Sequence, residues 1–97
     1  MNMQQIMAQA QKMQREMQKK QEALASKEFT KSNGGGVTVT MTGARQLVNI
    51  DIDEDLLDKD SKDMLQDMIK NCINDVVKDI EEENNAIQDA AASGIRF

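Results

Sequence analysis

Apolar and polar residues alternate along one stretch near the middle of the chain, between residues 36 and 52. In its first half, three apolar side chains alternate with threonines: Val37, Val39 and Met41. In its second half, beyond a turn at Gly43 and Ala44, a further apolar set occupies alternate positions: Val48, Ile50 and Ile52. A period of two is typical of a strand with one buried face. The pattern therefore predicts a hairpin of two strands, at about residues 36–42 and 47–52.

A longer period precedes this hairpin. Between residues 3 and 24 the apolar residues recur at helical spacing, on one narrow stripe: Met3, Ile6, Ala10, Met13, Met17 and Leu24. The residues between them are good helix formers. We therefore predict a helix over about residues 3–24, packed against the rest of the protein or against a second copy. A short strand is expected at about residues 28–32, before a turn in which Asn33-Gly34 supplies positive φ angles.

The last third of the chain predicts a short helical turn at residues 53–57 and one long helix at about residues 61–92. The apolar face of this helix is wide: Met64, Leu65, Met68, Ile69, Cys72, Ile73, Val76, Val77 and Ile80. A helix of that length runs about 48 Å, whereas a compact domain of this size is about 34 Å across. The apolar face thins after Ile80, so the distal end is expected to protrude and to contribute little to stability.

Together these elements predict a single α+β domain over residues 1–97, with a small antiparallel sheet and a long final helix. A two-stranded hairpin is marginally stable by itself in water, and the stripe of the first helix is one-sided. A two-fold homodimer is the simplest way to bury both. The residues predicted for the core or the dimer contact are Met3, Ile6, Met13, Met17, Val39, Ile50, Ile69 and Ile73.

Composition narrows the chemistry. The chain has no histidine, tryptophan or tyrosine and one cysteine, which excludes a disulfide, a Cys/His zinc site and a histidine-based catalytic pair. Asp51, Asp53 and Asp55 have the spacing that begins a calcium loop, but Leu56 and Lys62 stand where glycine and glutamate are required. We therefore predict no catalytic residue, metal, cofactor or small-molecule substrate. No apolar run is long enough for a membrane span, and the chain is expected to be cytoplasmic.

Charge is distributed unevenly. The net charge is −5, yet residues 1–31 carry six basic and three acidic groups. Three of the basic residues, Lys12, Arg15 and Lys19, follow helical spacing on the first helix, with Lys20 beside them. This basic ridge (Lys12, Arg15, Lys19 and Lys20) fits phosphate contacts and fits a solvated helix face equally well. Arg45, at the hairpin turn, is a further candidate for DNA contact.

Several strings resemble the YbaB/EbfC family of bacterial nucleoid-associated proteins. MAQAQKMQREMQKKQEAL is similar to the Gln/Met-rich first helix of that family, and GGGVTVTMTGARQLVNIDIDEDLL to its glycine-led strand pair. KDMLQDMIKNCINDVVKDIEE matches its last helix, although Cys72 and Val76 replace the alanines that usually flank the position of Asn74. The resemblance implies an α-β-β-β-α protomer, a tweezer-like homodimer and DNA binding without catalysis.

Two functions from different classes follow. The first is a cytoplasmic, nucleoid-associated homodimer that binds double-stranded DNA, mainly through the phosphate backbone and with weak sequence preference. The alternative is an interaction or scaffold dimer that grips a protein partner through its helical arms. Duplex DNA repels an acidic surface, so DNA binding depends on the local basic ridge, which dimerisation would duplicate.

Overall fold

The computed structural model describes the backbone of residues 2–94 and the side chains of residues 2–90. The elements follow the order α1 (Met3–Ser26), β1 (Glu28–Asn33), β2 (Val37–Thr42), β3 (Leu47–Ile52) and α2 (Lys62–Gly94). Two single-turn 3-10 helices, Glu54–Leu56 and Lys59–Ser61, connect β3 to α2. The predicted α+β class and element order are confirmed. The predicted domain of residues 1–97 also includes Met1 and residues 95–97, which lie outside the described residues.

The sheet is antiparallel with the order β1-β2-β3, so β2 is its central strand. The alternation in β2 has its expected effect, because its three apolar side chains are buried: Val37, Val39 and Met41. α2 crosses this face and buries Cys72, Val76 and Ile80 against it. The Cys72 thiol donates to the backbone carbonyl of Lys31 at 3.0 Å, so it acts as a small core residue.

The turn between β1 and β2 differs from the prediction. Gly34 and Gly35 have φ angles of 61° and 75°, whereas Asn33 pairs with Val37 in the ladder. The positive φ angles therefore fall on two consecutive glycines and not on Asn33-Gly34. Glycine adopts this region without steric cost, which makes the Gly-Gly pair the better turn.

β3 forms an edge of the sheet and is largely exposed. A bulge at Thr40/Met41 shifts the pairing, so that Leu47 lies opposite Met41 and Ile50 opposite Val39. Ile50 therefore shares the face of Val39, yet 37% of its surface stays exposed because α2 covers β1 and β2. Ile50 is therefore not buried within the protomer, and its predicted place in the core or the dimer contact stays a prediction.

The molecule is elongated, with extents of 70 × 20 × 15 Å. This is about twice the diameter of a compact domain of its length, so α2 projects well beyond the sheet. The distal half of α2 does not project alone, however. α1 runs antiparallel along it, with Leu24 near Ile80 and Met13 near Ile87, and the two helices form one arm. The expectation that the end of the helix beyond Ile80 protrudes and contributes little to stability did not include this contact with α1.

Gly43 lies where the last turn of α1 meets the β2–β3 turn. A Cβ atom at this position would overlap the carbonyl oxygen of Leu24, which is backbone and has little room to move. Replacing Gly43 with alanine should therefore destabilise the protein by about 1–3 kcal/mol and lower Tm by roughly 5–20 °C. Thermal denaturation followed by circular dichroism measures this. Ala44→Ser, at an exposed neighbouring position, should change nothing, and an unaltered Tm in Gly43→Ala would contradict the close approach.

Candidate nucleic-acid interface

All four side chains of the basic ridge are exposed on α1. The helix begins at Met3, where the Asn2 side chain caps it by accepting from the backbone amide of Gln5 at 2.9 Å. It continues without interruption to Ser26, so the ridge residues keep the helical spacing that the sequence predicted. Within residues 2–90, none of the four has a carboxylate within 4.0 Å. Their charges are therefore available to an external anion.

Arg15 and Lys19 of the ridge lie on a different side of α1 from the contact with α2, whereas Lys12 and Lys20 lie closer to that contact. At about 100° per residue, Arg15 and Lys19 lie roughly opposite Met13 and Met17, the residues that face α2. Lys12 and Lys20 border a shallow groove of about 330 Å³ along the seam between the two helices. A long duplex can therefore approach Arg15 and Lys19 without displacing α2.

Some acidic side chains of α2 form ion pairs where the arm joins the sheet. Three ion pairs connect α2 to residues in or next to the sheet: Lys27, which follows α1, pairs with Glu83 at 2.8 Å, Lys31 of β1 with Asp79 at 3.1 Å, and Arg45 of the β2–β3 turn with Glu81 at 3.8 Å. The hydrogen bond from Lys31 to the Asp79 carboxylate, together with the negative charge of that group, raises the pKa of Lys31. Such exposed pairs stabilise a fold weakly. In each pair the basic group offsets the negative charge of one carboxylate of α2.

Arg45 differs from the ridge residues. It has a φ angle of 64°, an uncommon conformation for a non-glycine residue, and its guanidinium lies 3.8 Å from Glu81. It lines a small cavity with Gln21 and Leu24, so it lies beside the last turns of α1. The structure thus places Arg45 beside the last turns of α1 and gives it an internal partner, Glu81. DNA contact by Arg45 stays a prediction.

The residues predicted for the core or dimer contact fall into three groups. Val39 is fully buried in the protomer. Met13, Met17, Ile69 and Ile73 are half-buried, the first two in the arm and the others beside the core. Met3, Ile6 and Ile50 are exposed, and Met3 at 79% is the most exposed large apolar residue described. One stripe on α1 therefore has two environments, packed near the sheet and uncovered at the tip of the arm.

Sequence reasoning named Ile50 and Ile73 for the core or the dimer contact, but it missed that β3 and α2 leave apolar side chains uncovered on their adjoining flanks. Leu47, Val48 and Ile50 of β3 are 49%, 50% and 37% exposed. On α2, Ile73 and Val77 are half-buried on the flank away from Asp79, the residue that contacts β1. We call these five residues the apolar corner.

Sequence reasoning also missed a line of glutamines on α1, because glutamine carries no charge and so adds nothing to a basic patch. Gln11, Gln14, Gln18 and Gln21 recur at spacings of three, four and three. With Asn84 and Gln88 of α2 they line a second groove of the arm, of about 880 Å³. The spacing alone would have placed the four glutamines on one strip of the helix.

The described residues hold no group of three or more acidic or cysteine side chains arranged to bind a metal ion. Within residues 2–94, no helix combines the length and apolar character that crossing a membrane requires.

The fold and the charge distribution define a class of small α+β proteins that present an exposed basic helix on a projecting arm. The comparisons with known proteins specify the class further. The chain belongs to the YbaB/EbfC DNA-binding family, whose model matches residues 1–95. The resemblance inferred from the sequence strings is therefore confirmed.

Individual relatives agree with this assignment. The chain is 42% identical, over 98 aligned residues, to a nucleoid-associated protein of Streptococcus agalactiae serotype III, covering 100% of this chain and 99% of the relative. It is 46% identical over 84 residues to a nucleoid-associated protein of Clostridium novyi, covering 86% and 74%. The crystal structure of an uncharacterized protein from Helicobacter pylori superposes with a TM-score of 0.73 at 29% identity, covering 91% of this chain and 94% of that one.

Proposed function

We propose that this protein is a homodimer that binds double-stranded DNA through the basic ridge of each α1, without catalysis and with weak sequence preference. One observation carries the proposal: the ridge presents four exposed cations on a projecting arm, and none has an ion-pair partner among residues 2–90. Membership of a DNA-binding family supports DNA as the negatively charged partner of the ridge. The site would lie in the bacterial cytoplasm, where the nucleoid is.

Phosphate contact is the mode of binding that this surface favours. Lysine and arginine side chains release condensed counterions when they neutralise phosphates, and this supplies sequence-independent affinity. The chain has no tryptophan or tyrosine to stack on bases, and two phenylalanines, of which Phe29 packs against the core. Neither a helix-turn-helix nor a zinc module occurs among the described elements. These features support recognition of the DNA backbone and of its shape.

The homodimer is proposed from the apolar corner. β3 is an edge strand, and its free edge adjoins apolar side chains that the protomer leaves uncovered. A second copy would cover the same patch on both chains, because a two-fold contact is self-complementary. Two arms would then project from one body and present two ridges to a single duplex.

Salt dependence tests the proposal. If a dimer makes about four to six phosphate contacts, log affinity plotted against log salt should have a slope near −4 to −5. Gel shifts with two unrelated duplexes of equal length should give the same slope for both, because phosphate contacts carry no base information. Affinity independent of salt, or no binding at about 50 mM salt, would contradict the proposal.

One observation favours the second candidate function, a dimer that grips a protein partner. Met3, Ile6 and Met7 are exposed at the tip of the arm, and methionine-rich surfaces adapt to varied apolar partners. This function requires no DNA. It replaces the first proposal if the purified dimer ignores duplex DNA at low salt.

A further inference from the structure

The line of glutamines on α1 lies beside the basic ridge. By helical geometry Gln18 is about 60° around the helix from Arg15, and Gln14 about 40° further. Arg15 itself lines the same groove as Gln11, Gln14 and Gln18. The cation and the amides therefore share one continuous surface of the arm.

The hydrogen-bonding capacity of these amides is not used within the described structure. Gln11, Gln14 and Gln18 are exposed, and no side-chain hydrogen bond among residues 2–90 involves them. Each amide offers two donors and one acceptor oxygen. Nearer the sheet, Gln21 and Asn84 are half-buried, so the freely accessible part of the line is its outer portion.

Duplex DNA has groups that match this surface. The major groove is about 12 Å wide and admits one α-helix. Within it, an amide side chain can form a bidentate pair of hydrogen bonds with adenine, accepting from N6 and donating to N7. The shorter extents of the molecule are 20 and 15 Å, so the outer side of α1 fits this groove and the whole arm does not. A helix that enters with its basic side against one phosphate strand turns the neighbouring strip toward the base edges.

We propose that Gln14 and Gln18, with Gln11 beside them, contact adenine base edges in the major groove and produce what sequence preference the protein has. This inference rests on the proposed DNA binding by the ridge. The ridge would supply affinity and the amides would supply discrimination, because amides carry no charge and add little to salt-dependent binding.

α1 provides its own matched control for a test. Gln14 and Gln18 are four residues apart and exposed, and so are Gln5 and Gln9 on the opposite side of the same helix. The wild-type protein is first used to select sites from a random duplex pool. Affinities for the selected duplex and a scrambled duplex of equal composition are then compared for wild type, Gln14→Ala/Gln18→Ala and Gln5→Ala/Gln9→Ala.

We expect the selected duplex to have adenine at the contacted positions, and the wild type to prefer it to the scrambled duplex by about fivefold or more, the discrimination expected of one good amide–adenine pair. Gln14→Ala/Gln18→Ala should bind both duplexes within about twofold of each other, with an unchanged salt slope. The control pair should keep the wild-type preference. Replacing adenine by 7-deazaadenine removes the N7 acceptor, and it should weaken binding of the wild type and leave Gln14→Ala/Gln18→Ala unaffected.

Four results would overturn the inference. If the wild type binds DNA without any preference, or if Gln14→Ala/Gln18→Ala keeps it, the amides do not contact bases and binding by the ridge still stands. If both glutamine variants lose the preference equally, the effect is not specific to this strip. If the wild type binds no DNA at low salt, the proposed function fails and the inference fails with it.

Discussion

Replacing Ile50 with aspartate is expected to convert the protein from a dimer into single chains. Ile50 is 37% exposed in the protomer, so a carboxylate there can stay hydrated when the chain is alone. In the proposed dimer the same carboxylate would be buried without a partner, at a cost of about 3–5 kcal/mol, or two to four orders of magnitude in Kd. Light scattering coupled to size exclusion, at micromolar concentration, measures the mass.

The wild type should have twice the chain mass of 10.9 kDa, and Ile50→Asp should have the mass of one chain. Asn49→Asp is the matched control, because it adds the same charge on the same strand but on the other face, opposite Thr40. This control should stay dimeric. A dimeric Ile50→Asp would show that the apolar corner is not the interface. Loss of its helical circular dichroism would instead show that the protomer cannot fold without its partner.

The partial exposure of Ile50 in the protomer differs from the buried face that the alternation in β3 predicted. The pattern correctly placed an apolar side chain on the inner face at Ile50, opposite Val39. It could not show that α2 covers only the β1–β2 part of that face, because coverage depends on where a distant helix crosses the sheet. The sequence therefore predicts which face a strand turns inward more reliably than whether anything lies over it.

The contact between α1 and α2 in the arm was not predicted for the same reason, because it too depends on a distant segment of the chain. The apolar stripe of α1 and the thinning face of α2 were both visible as periodic patterns, and the helices form where those patterns lie. That Met13 and Met17 face Ile87 depends on tertiary contact between segments about 70 residues apart. Local periodicity determines which side of a helix is apolar, but it does not identify the segment that packs against that side.

The candidate interface was predictable to a different degree for each residue type. The spacing of Lys12, Arg15 and Lys19 was sufficient to place them on one exposed side of a helix, as observed. The ion pair of Arg45 with Glu81 was not predictable, because it joins a turn to a helix 36 positions later. The glutamine line was missed for a chemical reason. Glutamine side chains are neutral, so the distribution of charge along the chain did not indicate them.

Replacing Lys12, Arg15, Lys19 and Lys20 together with glutamine is expected to reduce DNA affinity by on the order of 10²–10³ at physiological salt and to flatten the salt slope. Glutamine retains helix propensity, so circular dichroism and the dimer mass should not change. A matched variant replaces four exposed lysines elsewhere, Lys59, Lys62, Lys70 and Lys78, and removes the same net charge. It should bind almost as well as the wild type, because contacts with phosphates act locally and exposed charges are screened beyond about 10 Å. Equal losses in both variants would mean that overall charge controls binding and that the ridge is not the site.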